Sequence, residues 1–408
     1  MKNCIAAQSG GPTAAINASL AGILLENEKR GLFDHVYGSL NGITGILDHR
    51  FLDLTQKSEQ NPDFIKNLRT TPAMYLGSCR FKLPDPVSGQ AFYEAVFSFF
   101  EKMEIAAFFY IGGNDSMDTV QKLSEYAKAN GKPVQIIGIP KTIDNDLCET
   151  DHTPGFGSAA KYVAATFLEI AHDAYIYPVK SVTVVEVMGR DAGWLTASSA
   201  LARTSYNPAP QLIYLPERPF DAQRCIKDTK ALLEKEKHVI IALSEGIRDK
   251  NGSYISTSGK TTDSFGHVKL CGAGKTVEDL ISKSIDVKIR SIELNVLQRA
   301  ASHLSSETDL RESEQLGEKA LQLAAEGKTG CMTVLVRKSD QPYEIELSSA
   351  DICGIANKVR SVPDAFIAEN GSDVTEEFIS YARPLIIGEP EILYKNGIPH
   401  YLDVSHLL

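Results

Sequence analysis

Short apolar and β-branched runs alternate with segments of helical period along most of the chain, and several of the runs end in a glycine turn. That alternation is the pattern of an α/β protein built on mostly parallel sheets. The first unit reads as a strand from Asn3 to Gln8, a turn from Ser9 to Thr13 and a helix from Ala14 to Glu28. A strand near His35 to Ser39 and a helix from Gln90 to Phe100 follow, with a Gly-rich stretch between them. Strands at Ala106 to Ile111 and Val134 to Ile139 then flank a helix from Ser116 to Asn130. Beyond the turn-rich residues Cys148 to Gly157 the pattern restarts. Helices are expected at Ser158 to Ala171, Asp191 to Ala202 and Ala222 to Lys237, with strands at Val182 to Val187, Gln211 to Leu215 and Val239 to Leu243. Residues Arg248 to Gly274 are polar and Gly-rich and read as a mobile loop or insertion, and a strand at Met332 to Val336 resumes the alternation. The expected architecture is two doubly wound, Rossmann-like domains, 1–150 and 151–300. Part of 300–375 would complete the first and 376–408 the second.

Length agrees, since 408 residues at roughly 150 per domain give two or three units. Hydrophobic residues make up 43% and charged residues 23%, enough for an ordinary core without disulfides or metal. Basic residues number 42 against 52 acidic ones, a net charge of −10 that excludes general attraction to nucleic acid or to an anionic membrane. The apolar runs are only strand-length and the start MKNCIAAQSGG lacks the regions of a signal peptide, so a cytoplasmic protein is expected. The seven cysteines are scattered, with no Cys-x-x-Cys pair, and read as reduced thiols. His152, His172 and His303 stand alone and read as solvated or hydrogen-bonded side chains.

Chemistry concentrates at strand ends. Ser9-Gly10-Gly11-Pro12-Thr13, Gly112-Gly113-Asn114-Asp115-Ser116 and Gly138-Ile139-Pro140-Lys141-Thr142-Ile143-Asp144-Asn145-Asp146 each follow an expected strand. Ligands of open α/β sheets bind outside the carboxyl ends of strands, so the three loops should meet at one crevice. Gly-Gly turns let backbone N–H groups approach an anion beside a helix N-terminus, which suits phosphate. Asn114 and Asp115 offer hard oxygen ligands for Mg²⁺, although Asp115 or Ser116 could equally cap a helix. In the third loop Lys141 could neutralise a transferring phosphoryl group while a carboxylate takes the proton of an attacking hydroxyl. In the second unit Met188-Gly189-Arg190 and Ser244-Glu245-Gly246 end two further strands. Arg290 and Arg299 stand on a segment of helical period, where guanidinium forks could meet phosphate oxygens.

The stretches SGGPTAAIN, GSCRF, GGNDS, GIPKTIDND, VVEVMGR and ALSEG, and more loosely Arg290 to Arg299, resemble the phosphofructokinase family in the same order. The resemblance implies a two-domain fold with its active site in the cleft between domains, and Mg²⁺-dependent phosphorylation of the 1-hydroxyl of fructose 6-phosphate. Asp115 and Lys141 stand where ATP-using members usually have Gly, a pair that resembles the pyrophosphate-dependent branch. A carboxylate near the place of an α-phosphate would repel a nucleotide, and a lysine would serve the smaller donor. Carried over by residue, Gly11, Arg80 and Ser116 would hold pyrophosphate. Thr142, Asp144, Met188, Gly189, Arg190, Glu245, Arg290 and Arg299 would meet the sugar phosphate. Asp144 would be the base, Lys141 the stabiliser of transition-state charge, and Asn114 or Asp115 the metal ligand. A basic group reaching the sugar phosphate from a neighbouring subunit implies a homodimer or homotetramer.

Three departures from the family pattern stand out: Asn114 replaces a metal-binding Asp, Ser181 a basic residue, and Val296 a His. The rivals are an ATP-dependent or mixed-donor phosphofructokinase, a kinase of the NAD or lipid type, and a non-catalytic regulatory homologue. The MGR and SEG segments speak against the second, and retention of Asp144 with Lys141 against the third.

Overall fold

Apolar runs with no polar face become the innermost strands. In the computed structural model, which describes residues 2–255 and 270–408, the strands of the two main sheets in chain order are β1 (Asn3–Gln8), β2 (Val36–Ser39), β3 (Phe51–Asp53), β4 (Ile105–Gly112), β5 (Gln135–Pro140), β6 (Ser181–Val187), β7 (Leu212–Tyr214), β8 (His238–Ser244), β9 (Lys288–Glu293), β10 (Cys331–Asp340) and β11 (Tyr343–Asp351). One sheet has the order β11-β10-β5-β4-β1-β2-β3 and a second the order β7-β8-β6-β9. The second is parallel throughout. The first is parallel from β10 to β2 and antiparallel only where β3 and β11 form its edges.

Both faces of the first sheet are covered, which is why its strands lack polar alternation. Cys4, Ala6, Phe109, Ile111 and Ile137 pack on one side against the helices Ile16–Arg30 and Glu307–Ala325, while Ile5, Ala7, Phe108, Tyr110 and Ile136 enter a separate core on the other. The two covering helices nearly touch: a Cβ on Gly22 would lie 1.9 Å from the Glu314 carbonyl oxygen, and one on Gly317 2.0 Å from that of Ser19. The second sheet divides likewise, Val182, Val184, Val239 and Ile241 facing one core, Val185, Val187, Ile240 and Ala242 the other. In the first sheet the winding reverses between β1 and β4, the switch point at which such sheets open a crevice.

Some sequence expectations are corrected. The region expected as a helix from Asp191 to Ala202 is a short helix Trp194–Ala197 followed by a 3₁₀ turn Ser198–Ala202. The segment carrying Arg290 and Arg299 is not one helix: Arg290 lies in β9, an edge strand with exposed charged residues, and Arg299 ends a 3₁₀ helix Asn295–Arg299. Of the expected loop 248–274, residues 256–269 lie outside the described residues, Arg248 pairs with Tyr254, and a helix already begins at Ala273. The tail is shared, since Phe378, Tyr381 and Leu385 join the core of the second unit whereas Leu402 and Leu407 pack on the first.

The seven cysteines are unpaired. His152 is buried and bonded on both sides, to Asp151 at 2.8 Å and Glu312 at 2.7 Å, and these carboxylates push it up to about 9 against the effect of burial. Among the described residues no helix is long and apolar enough to cross a membrane.

Candidate active site

The three glycine-bearing loops leave neighbouring parallel strands and are stitched together by short hydrogen bonds. Gly10 adopts φ +83°, in the left-handed region, and a Cβ there would meet the Lys141 Nζ at 3.1 Å. Only Gly combines that backbone with such a close approach. Lys141 donates from its backbone N–H to Gly112 O (2.9 Å) and from Nζ to Gly11 O (2.7 Å). The hydroxyls of Ser9 and Ser116 lie 2.9 Å apart, and that of Ser78 donates to Gly10 O at 2.8 Å. Ser116 is therefore buried and joins two loops, with its hydroxyl directed at Ser9.

The third loop carries the acids. Thr142 N–H donates to Pro154 O at 3.1 Å, and its hydroxyl accepts from Asp144 N–H at 3.1 Å. Asn145 has φ +55°, accepts from Thr153 N–H at 3.0 Å and donates to the Tyr381 hydroxyl at 3.0 Å. This anchored turn presents Asp144 and Asp146 to the cleft on either side of a buried amide. Burial raises the Asp144 carboxyl, with Arg190, Arg299 and Lys141 opposing the rise. Asp146 is pushed up to about 7 by burial and by the charge of Asp144. Burial brings Lys141, only 2% exposed, down to about 7, against the pull of Asp144. An acid pair and a base with such displaced affinities, facing one cavity, mark a reactive site more than a structural ion pair.

The opposite wall comes from the second sheet. Glu245 accepts from Gly189 N–H at 3.3 Å and Arg190 N–H at 3.1 Å, and burial pushes it up to about 7. Its neighbour Gly246 is compulsory, because a Cβ would fall 1.6 Å from Arg190 O. Glu245 thus holds the Gly189–Arg190 turn, where Arg190 takes φ +51°.

The resulting cavity of ≈ 380 Å³ is lined by Gly11, Arg80, Asn114, Asp115, Ser116, Lys141, Thr142, Asp144, Gly189, Arg190 and Arg299, all read from the sequence as site residues. Met188 and Glu245 lie behind that lining, Met188 against the core of the second unit. Arg290 is the exception: it sits in β9, paired with Asp173 at 2.7 Å, and does not line the cleft of its own chain. Asp146, Asp191, Asn357 and Val359 also line the cavity. Asp146 stood inside a quoted motif without a role, whereas Asn357 and Val359 come from an irregular segment far along the chain with no local pattern to reveal them.

Asn114 is engaged at both ends of its amide: Oδ1 accepts from Asn357 N–H at 2.6 Å, and Nδ2 donates to Lys358 O. Asp115 is exposed to the cavity in the first turn of the helix Asn114–Ala129. No group of three or more His, Cys, Asp or Glu suited to a metal occurs among the described residues. A Mg²⁺-like ion that keeps its waters and needs only one or two carboxylates fits this donor set, with Asp115 the freer ligand.

Four basic side chains and four carboxylates, two of the latter in one turn, at the mouths of two mostly parallel sheets have the make-up of a phosphotransferase site for small anions. The family profile "Phosphofructokinase" matches residues 3–324, and the chain belongs to that family. It is 38% identical over 408 residues to a pyrophosphate–fructose 6-phosphate 1-phosphotransferase of Xanthomonas campestris pv. campestris (99% of this chain, 96% of the relative). It is 41% identical over 389 residues to the enzyme of that name from Rhodospirillum rubrum (94% and 93%). The crystal structure of a pyrophosphate-dependent phosphofructokinase from Nitrosospira multiformis is similar with a TM-score of 0.88 at 36% identity, covering 98% of this chain and 96% of the other.

Proposed function

We propose that this protein catalyses reversible phosphoryl transfer from pyrophosphate to the 1-hydroxyl of fructose 6-phosphate, giving fructose 1,6-bisphosphate and phosphate. The observation that carries the donor is the pairing of Asp115 and Lys141 across one cavity. Lys141 is buried beside the Gly10–Gly11 turn, and Asp115 presents a carboxylate to the same cavity from the neighbouring loop. A compact inorganic donor gains from the cation, while a nucleotide would have to bring its inner phosphate against a carboxylate.

The chemistry follows from the geometry of the third loop. The sugar oxygen forms a bond to phosphorus as the bridging bond of pyrophosphate breaks, and the hydroxyl proton passes to the Asp144 carboxylate. Lys141, with Arg80 and Arg299 alongside, meets the negative charge carried by the transferring group and the leaving phosphate. Gly11 contributes backbone close to the donor, and Ser116 holds that turn in place. Thr142, Arg190 and Gly189 contact the sugar phosphate, with Met188 and Glu245 supporting them from behind. A Mg²⁺ bound at Asp115, with Asn114 as a second oxygen, would screen the donor's charge. Arg290, absent from its own cleft, would serve the cleft of a neighbouring subunit in a homodimer or homotetramer.

The test is a coupled assay on fructose 6-phosphate and Mg²⁺ with pyrophosphate and ATP side by side, for the native chain and for Asp115→Gly/Lys141→Gly. The native chain should use pyrophosphate far better, and the double variant should lose that use and gain measurable ATP use. ATP turnover by the native chain equal to that with pyrophosphate would overturn the donor assignment.

A further inference from the structure

Residues 357–362 lie beyond the stretch matched by the family profile, yet they touch the Asn114 loop, the acid loop and the second unit. At one end Asn357 and Lys358 take up the Asn114 amide, and Asn357 Nδ2 donates to Asp118 at 2.9 Å. At the other, Val362 N–H and Gly193 N–H both donate at 2.9 Å to one oxygen of Glu217, next to the Arg190 turn. Between them Arg360 grips the acid loop. Its guanidinium donates to the carbonyls of Thr150 (2.7 Å), Asp151 (2.6 Å) and Asn145 (3.0 Å), and its backbone N–H to Asp146 O (2.7 Å). The same guanidinium lies over the Trp194 ring at 4.6 Å, and Trp194 Nε1 donates to Arg360 O at 3.0 Å.

We infer that Arg360 is a positioning residue for phosphoryl transfer: it ties the 144–146 turn to Trp194 in the second unit and so sets where the Asp144 carboxylate stands relative to the sugar hydroxyl. The inference rests on the reading of Asp144 as base. Asn145 O from that turn and the Thr150 and Asp151 carbonyls from the segment after it converge on a single guanidinium, which fixes the turn against the segment that follows, and the backbone bond to Asp146 O fixes its far side. Lysine could satisfy part of this set but not all, because it lacks the planar fork. Arg360 itself does not line the cavity. Its loss should move a reacting group by a fraction of an ångström to an ångström and leave the binding residues in place.

The experiment is steady-state kinetics on full-length Arg360→Met and Arg360→Lys, with thermal melts to measure the folded fraction. Arg203→Met is the control, since Arg203 makes a comparable clamp, to Pro210 O and Asp373, away from the cleft. Arg360→Met should lose kcat by about 100-fold, the scale of an ångström-size misplacement, with both KM values within about threefold. Arg360→Lys should recover part of that loss, and Arg203→Met should lower the melting temperature without lowering kcat per folded chain. If Arg360→Met does not fold, the same split between kcat and KM is required of Arg360→Lys. A kcat within threefold of native per folded chain, or a loss borne by KM alone, overturns the inference. Asp144→Asn is measured in parallel: if it keeps turnover, the reading of the acid loop fails, whereas an inactive Asp144→Asn beside an unimpaired Arg360→Met sinks only the role of Arg360.

Discussion

Asp144 and Lys141 face each other with proton affinities shifted in opposite directions, the acid upward and the base downward, because the same dry surroundings disfavour both charges. Replacement of Asp144 by Asn keeps shape and removes the base. The expected result is a loss of kcat of about 10²- to 10⁴-fold with little change in sugar KM, measured under saturating pyrophosphate. Near-native turnover would remove Asp144 from the mechanism. A pH dependence follows from the same groups. As pH falls through about 7 the Asp144–Asp146 pair takes up a proton, and as it rises through about 7 Lys141 gives one up. In the free enzyme kcat/KM should therefore form a narrow bell near neutrality. Bound phosphates stabilise the protonated form of every group they face, so the kcat profile should lie at higher pH than that of kcat/KM. Coincident profiles, or a flat one across about pH 6 to 9, would contradict this assignment. Single residues were legible in proportion to how much of their role is local. Lys141, Asp144 and Gly11 sit in short loops that announce themselves, whereas Arg360 acts on carbonyls more than two hundred positions upstream.

At the level of elements, legibility followed burial. The strands β1, β4, β5, β6 and β8 are apolar on both faces, and their bounds were readable nearly to the residue. The edge strand β9 alternates charged and apolar residues in so short a run that a helical period fits as well, which is why Arg290 was expected on a helix with Arg299. Arg290 also shows that a motif residue can be found correctly and still lie outside the cleft of its own chain. The close crossing of helices Ile16–Arg30 and Glu307–Ala325 could not be read, because it depends on Gly22 facing Glu314 and Gly317 facing Ser19 across nearly three hundred positions. Adding one methyl there forces the helices apart. Gly317→Ala should lower stability by about 1–3 kcal/mol, the usual cost of overpacking, seen as a fall in the urea midpoint at unchanged m-value. An unchanged midpoint would mean that the helices can separate freely, and that the loop 9–13 at the head of the first helix is not held by this crossing.

The whole molecule is acidic, with a net charge of −10, yet Arg80, Lys141, Arg190 and Arg299 line one cavity. Asp115, Asp144, Asp146 and Asp191 share that lining, so the basic groups act at close range within a negative surround, and distant repulsion and local attraction compete for an approaching anion. Salt decides between them by range. Raising ionic strength from about 0.01 M to about 0.15 M shortens the screening length from about 30 Å to about 8 Å, which removes the distant repulsion first and leaves contacts inside the cleft nearly intact. Were the overall charge dominant, kcat/KM for pyrophosphate would rise with added salt. Three guanidiniums line the cavity and Lys141 is buried beside them, so local attraction should govern the final approach. The expected outcome is a fall in kcat/KM for pyrophosphate as inert salt is added, with kcat steady, because transfer occurs between groups already in contact. Arg80→Ala should flatten that salt dependence more than a substitution of an exposed lysine outside the cleft such as Lys66. An equal effect from both would assign the steering to net charge, not to the cleft.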